Sequence, residues 1–131
     1  MPEDHVQLVR TALDAINRRD FDTAFTRVAP DAELDFSRAD GLERGVYDLE
    51  GFRALAEEFT GGWESIRYSA DEFIEAGEHV VVPFTIHLRG RGGIEMQPRG
   101  VWVWTIRDGL VTRVCLYQAR EEALAAVWMR E

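Results

Sequence analysis

One cysteine, Cys115, stands in a chain of 131 residues, so no disulfide can form within it. Positive charge is in deficit: 15 basic residues against 24 acidic ones leave a formal charge of −9. That balance argues against nucleic acid as a partner, because phosphate binding needs a basic surface and the counterion release that goes with it. An anionic membrane surface is disfavoured for the same reason. No apolar run approaches the ~20 residues needed to span a bilayer. The opening Met1-Pro2-Glu3-Asp4-His5 is acidic where a secretory signal would be basic, and the expectation is a cytoplasmic protein. Repeats, low-complexity tracts and Pro/Gly/Ser-rich linkers are missing as well. With 46% hydrophobic residues the chain suits one domain over 1–131 with a single core.

What is present is strongest in the last third. Val101-Trp102-Val103-Trp104-Thr105-Ile106 and Leu110 to Tyr117 flank Arg107-Asp108-Gly109. Two β-branched and aromatic runs around an Asp-Gly turn predict a β-hairpin. Alternation puts Trp102, Trp104 and Ile106 on one face of the sheet and Val101, Val103 and Thr105 on the other. Upstream, Gly90-Arg91-Gly92-Gly93 and Glu75-Ala76-Gly77-Glu78 predict two further turns, on either side of a strand from His79 to Arg89. Ile66, Tyr68 and Ala70 start another strand that runs toward Phe73-Ile74, and the set reads as a mostly antiparallel meander.

Helical spacing marks the rest. Val6, Val9, Leu13 and Ile16 share one face of a first helix. Asp20 caps a second, whose Phe21, Ala24, Phe25 and Val28 form a stripe ended by Pro30. Ala32 to Phe36 alternates as a short strand, and residues 38 to 47 read as a loop. Asp48 caps a third helix with Leu49, Phe52, Leu55, Ala56 and Phe59 on one side, closed by Gly61-Gly62. In the tail, Leu124, Val127 and Trp128 share a face that should dock. Helices gathered on one face of a curved, mostly antiparallel sheet make an α+β domain.

Pro30-Asp31-Ala32-Glu33-Leu34-Asp35, the approach to Gly45-Val46-Tyr47, Glu75 to Val82, Arg107-Asp108-Gly109 and Tyr117 to Leu124 together resemble a SnoaL-like protein. Such proteins belong to the nuclear transport factor 2-like superfamily, with ketosteroid isomerase and limonene epoxide hydrolase. The resemblance covers nearly the whole chain. It implies a cone, a bent sheet wrapped around helices with an apolar cavity open at one end, and a homodimer paired through the outer sheet face. The isomerase's aspartate base matches Phe36, with Asp35 one residue away and turned to the opposite face. Its oxyanion-binding tyrosine falls near Ala12, and its protonated aspartic acid near Trp102. The hydrolase's acids and arginine fall among Phe84, Ile86, Val114 and Leu116. The late acid of the SnoaL cyclases falls at Leu116 or Gln118. Enolisation needs a base and donors for the developing oxyanion, and none of these positions supplies them.

The same register predicts an interior lined by Ile16, Phe36, Leu55, Phe59, Val82, Phe84, Ile86, Trp102, Trp104, Val114 and Leu116, with Gln118 at its end. Such a lining could solvate a flat apolar ligand, with indole N–H groups as donors, or could pack shut on itself. Asp35, Arg38, Asp40 and Tyr47 border the expected mouth. His87 lies on the outer face with Thr85 and Arg89. His5 and His79 read as terminal and turn residues, and Asp71-Glu72 and Glu121-Glu122 as solvated charges. No His, Cys and carboxylate set has metal-ligand spacing, no cofactor is implied, and the glycine-rich turn precedes no helix that would make it a phosphate loop. Thr85, His87, Val101, Val103, Arg113, Cys115 and Tyr117 form the expected dimer face, with Cys115 buried as a small hydrophobe.

Three functional readings stand. The first is binding of a small apolar molecule in the cone. The second is a cofactor-free isomerase, cyclase or hydrolase on a polyketide- or terpenoid-like substrate, with Asp35, Arg38, Tyr47 and His87 as its polar actors. The third is a structural dimerisation module with a filled core. The first two need an open cavity. The second also needs at least two ionisable side chains converging on it.

Overall fold

The computed structural model describes residues 4–39 and 44–130. Asp40, expected at the cone mouth, lies outside the described residues. Helix α1 spans His5–Asn17, and the Asp4 side chain accepts from the Val6 amide at its start. Its apolar stripe buries Leu8, Val9, Ala12 and Leu13. Asp20 caps α2 through the Thr23 amide, but α2 is a single turn, Phe21–Ala24. The stripe expected to reach Val28 as helix instead passes into strand β1, Val28–Asp35. Pro30 therefore lies inside a strand rather than ending a helix. It is tolerated there because the pairing of β1 with β8 slips between Val28 and Glu33, where a missing amide breaks no ladder bond.

The remaining elements are β2 (Val46–Tyr47), α3 (Leu49–Gly61), β3 (Ser65–Ala70), β4 (Ile74–Ala76), β5 (His79–Arg89), β6 (Glu95–Met96), β7 (Arg99–Arg107), β8 (Leu110–Tyr117) and α4 (Arg120–Arg130). Asp48 caps α3 by accepting from the Gly51 amide at 2.7 Å. The β7–β8 hairpin turns at Asp108 and Gly109, both at positive φ (51° and 76°), as its two-residue turn requires.

The strands form one mixed, curled sheet, a half-barrel in the order β2-β1-β8-β7-β5-β3, with β4 and β6 also paired to β5. All pairs are antiparallel except β1 with β8. The run from Ile66 to Ile74 is two strands, not one. Its break faces Pro83, whose carbonyl accepts from the Asp71 amide at 2.8 Å. The edge strand β3 is held to the end of α1 by one side chain. Asn17 Nδ2 donates to the Tyr68 carbonyl at 2.9 Å, and Asn17 Oδ1 accepts from the Tyr68 amide at 2.7 Å.

Two apolar layers flank the sheet. The inner one joins Val80, Val82, Phe84, Trp102, Trp104, Ile106, Val114 and Leu116 to the buried face of α1. The outer one joins Val81, Val101, Val103, Cys115 and Tyr117 to Ala123 and Val127 of α4. The helices are thus not all on one face, because α4 crosses to the other. Within α4, Ala123 and Val127 are buried and Trp128 is 65% exposed, so the docked face lies about 100° around the helix from the tryptophan. Arg120 fixes the start of α4 with a two-pronged ion pair to Glu72 at 2.7 and 3.3 Å. Asp71 accepts from the Thr85 hydroxyl and Glu122 from the Gln118 amide, so these acids are paired rather than simply solvated. Among the described residues no helix is long and apolar enough to cross a membrane.

Candidate functional site

Between the inner sheet face and helices α2 and α3 lies a cavity of about 140 Å³. The sheet supplies Leu34, Tyr68, Phe84, Ile86, Trp102, Trp104, Val114 and Leu116, and Phe36 follows β1. The helices supply Ile16, Phe21, Ala24, Phe52, Leu55, Ala56, Phe59 and Thr60, Phe25 follows α2, and Val28 opens β1. Alternation explains the sheet half: Trp102 and Leu116 are cross-strand partners, as are Trp104 and Val114, so both indoles and both aliphatic neighbours face inward. Phe84 stacks on Trp102 at 3.7 Å between centroids and 15° between planes, while Trp104 meets Trp102 edge-on at 6.3 Å and 76°. Phe52 contacts Phe25 and Phe36, at 5.9 and 5.1 Å, forming an aromatic end wall. The two tryptophans therefore form a wall of the space and do not close it.

Ile16, Phe36, Leu55, Phe59, Phe84, Ile86, Trp102, Trp104, Val114 and Leu116 all line the cavity. Val82 faces the same side but is sealed in the core at 0% exposure. Gln118 is exposed, and its Nε2 donates to the Arg38 carbonyl at 2.7 Å. Four of the nine lining residues that the register did not name are aromatic. Phe21 and Phe25 on the α2 stripe and Phe52 on the α3 stripe carried the signal, and Tyr68 carried it in the alternation of β3.

Of the polar candidates, Asp35 and Arg38 meet, and Tyr47 and His87 lie elsewhere. Asp35 pairs in register with Cys115, on the outer face and away from the cavity. Ser37 donates to it from both hydroxyl (2.6 Å) and amide (3.0 Å), and Arg113 Nη2 from 3.1 Å. Arg38 joins it there, with Nη1 3.7 Å from Asp35, 3.4 Å from the Cys115 Sγ and its guanidinium over the Tyr117 ring. Tyr47 sits on β2 against Phe52, its hydroxyl donating to the Arg44 carbonyl. His87 is on β5, with β7 and β8 between it and β1, paired in register to Arg67. His79 is buried rather than held in an open turn, with Nδ1 3.0 Å from the Thr105 hydroxyl. The apolar part of the expected dimer face, Val101, Val103, Cys115 and Tyr117, is covered within the chain by α4. That leaves it unavailable to a second subunit while α4 is docked. Thr85 is buried against Asp71, and Arg113 is held by Glu33 at 2.8 Å. Among the described residues no group of three or more His, Cys, Asp or Glu is placed to hold a metal ion.

A family profile described as SnoaL-like domain matches residues 9–114. The chain belongs to the SnoaL-like domain family. Its fold is the nuclear transport factor 2-like, or cystatin-like, one. TerC, solved in a co-crystal with polyporic acid, is similar to this SnoaL-like chain with a TM-score of 0.75 and 21% identity, over 94% of this chain and 97% of that one. A nuclear transport factor 2-like protein of unknown function from Burkholderia pseudomallei gives 0.74 and 25%, over 93% and 95%. IdmH, a putative polyketide cyclase from Streptomyces antibioticus, gives 0.76 and 14%, over 97% and 99%. No curated protein matches.

Geometry and charge limit what this SnoaL-like site does. Among the described residues no carboxylate, histidine or arginine lines the cavity, so the walls they form hold no acid-base pair. On the opposite face, burial pushes the Asp35 carboxyl up. The Ser37 hydrogen bonds and the Arg113 and Arg38 guanidiniums outweigh that and hold it below the usual carboxylate range. A carboxyl whose folded value is depressed adds stability above its unfolded value and loses it as pH falls through the folded one. Asp35→Asn should therefore destabilise the domain by about 2 kcal/mol at pH 7, the worth of hydrogen bonds to a charged group. In urea melts repeated down the pH scale, the gap from wild type should begin to narrow below about pH 4, where the aspartate of the unfolded chain protonates, and close as pH falls through the lower folded value. A gap constant with pH would mean that Asp35 acts by shape alone.

Proposed function

We propose that this SnoaL-like domain binds a small, flat, neutral apolar molecule between the tryptophans of β7 and helices α2 and α3. The observation that carries this reading is the open, aromatic-walled cavity, with no charged side chain among the described residues of its lining. Apolar area removed from water on binding supplies the affinity, and ring-on-ring contacts with Phe84, Trp102 and Phe52 favour planar ligands. A cavity of this volume takes one or two fused rings.

Thermal melts against a panel of apolar ketones, epoxides, aromatics and fatty acids test it. A ligand at ~100 times its dissociation constant stabilises by about 2.7 kcal/mol, a shift of several degrees in a domain of this size. Ala56→Phe places a ring in the cavity from α3, and it should cut ligand affinity more than tenfold while leaving the unliganded domain at least as stable as wild type. No shift with any of the panel would count against the reading. So would a ligand that binds Ala56→Phe as tightly as wild type.

Cyclisation of a flexible polyketide-like substrate is the second reading. It is favoured by the structural similarity to IdmH and to another putative polyketide cyclase from Xanthomonas campestris. With no acid-base pair in the walls, the domain would act by holding a folded substrate conformation, which is a gain in proximity rather than in proton transfer. Turnover of a poly-β-ketone thioester above the uncatalysed rate, lost in Ala56→Phe, is its test.

A further inference from the structure

We propose that Trp104 is the polar anchor of the cavity, its indole Nε1–H donating to a neutral carbonyl oxygen on an otherwise apolar ligand. This rests on the binding reading above and names the ligand class that the same cavity selects. Among the described residues, Trp104 Nε1 and His5 Nδ1 are the buried side-chain polar atoms with no hydrogen-bond partner. Trp104 is 6% exposed, sits on the inward face of the central strand β7 and borders the cavity. Its cross-strand partners are Val80 on one side and Val114 on the other, and its ring neighbour is Trp102. None of these side chains offers an acceptor.

A buried N–H left unpaired is costly, and natural structures rarely tolerate one. The neighbours of Trp104 named above are aliphatic and aromatic, so the proposed acceptor comes with the molecule that occupies the cavity, and a small turn of the indole brings to it the Nε1–H that is sealed in the structure. Among the described residues the lining offers the Trp104 indole N–H and the hydroxyls of Thr60 and Tyr68 as donors and no cation, which matches a neutral oxygen rather than an anion. A carboxylate would bring a full charge into an apolar space without compensation, so ketones, quinones and lactones are selected over acids. Water does not compete well at a sequestered donor, which strengthens the hydrogen bond relative to one at the surface.

Indane and 1-indanone share one fused-ring skeleton and differ by the carbonyl, so the ratio of their affinities isolates that bond. Titrations of wild type, Trp104→Phe and Trp102→Phe should show the preference for 1-indanone over indane falling about tenfold in Trp104→Phe and holding in Trp102→Phe. In wild type labelled at the indole nitrogens, one tryptophan side-chain N–H, absent from the spectrum of Trp104→Phe, should move downfield with 1-indanone and not with indane. That measurement decides the matter even if Trp104→Phe binds nothing, because Trp104→Tyr can supply the assignment. Binding of both ligands with an unchanged ratio and no selective indole shift overturns the anchor and leaves the binding reading intact. No binding of either ligand by wild type overturns both.

Discussion

Val127→Asp should expose Cys115 to a thiol reagent such as DTNB at least tenfold faster than in wild type. Val127 is 2% exposed and, with Ala123, covers Val81, Val101, Val103, Cys115 and Tyr117, and Cys115 is itself 0% exposed. Arg38 and Arg113, the cations named on that face, are already engaged with Asp35 and Glu33, so a carboxylate buried under α4 is poorly compensated and costs several kcal/mol. The helix has a cheaper route, because α4 can lift from the sheet while the rest of the domain holds, and local openings of this kind cost less than global unfolding. Native-state thiol labelling reports the opening directly. The melting temperature should fall by about 10 °C, the equivalent of ~3 kcal/mol in a domain of this size. Trp128→Asp is the control: the next residue along is mostly exposed, and the same charge there should leave both readouts near wild type. Equal labelling rates in Val127→Asp and wild type would show that α4 does not shield the outer face.

Gly100→Val should be the most damaging small-to-large change on the inner face. A Cβ at Gly100 would stand 2.9 Å from the Phe84 ring and 3.2 Å from Leu116. Phe84 cannot swing away freely, since its other side is stacked on Trp102. Valine adds two methyls to a gap too small for one carbon, and overpacking of this kind costs about 3 kcal/mol. The ring that yields is a cavity wall, so ligand affinity should fall as well, read by urea denaturation and by titration of the same samples. Full stability with full affinity would mean that the absent side chain at position 100 is not what seats the Phe84–Trp102 stack.

These two positions also mark where local sequence signals stop. The Asp108-Gly109 turn and the alternation of β7 are short-range properties, and they placed both tryptophans on the cavity side. The Asp48 cap and the stripe of α3 are equally local. By contrast, Leu124 and Val127 announce an apolar helix face but carry no information about which side of a sheet it meets. The outer strand residues read as open to a partner because α4 had not been put against them. Pro30 misled for a related reason, since a slip in strand pairing is visible only once β8 is beside β1. The polar candidates were misjudged through proximity along the chain: Asp35 and Arg38 do meet, but around Arg113 and Cys115 on the face the cavity does not reach. The unpartnered donor of Trp104 has no sequence signal at all, because it is defined by what its neighbours on three strands fail to offer.

The Asn17 amide has a consequence for assembly. A sheet edge grows when a second chain finds a free amide hydrogen and a free carbonyl on the outermost strand. At Tyr68 both are already occupied, one by each end of a single side chain that belongs to the helix beneath. Asn17 thereby acts as a one-residue counterfeit strand, filling the outer edge of β3 at Tyr68.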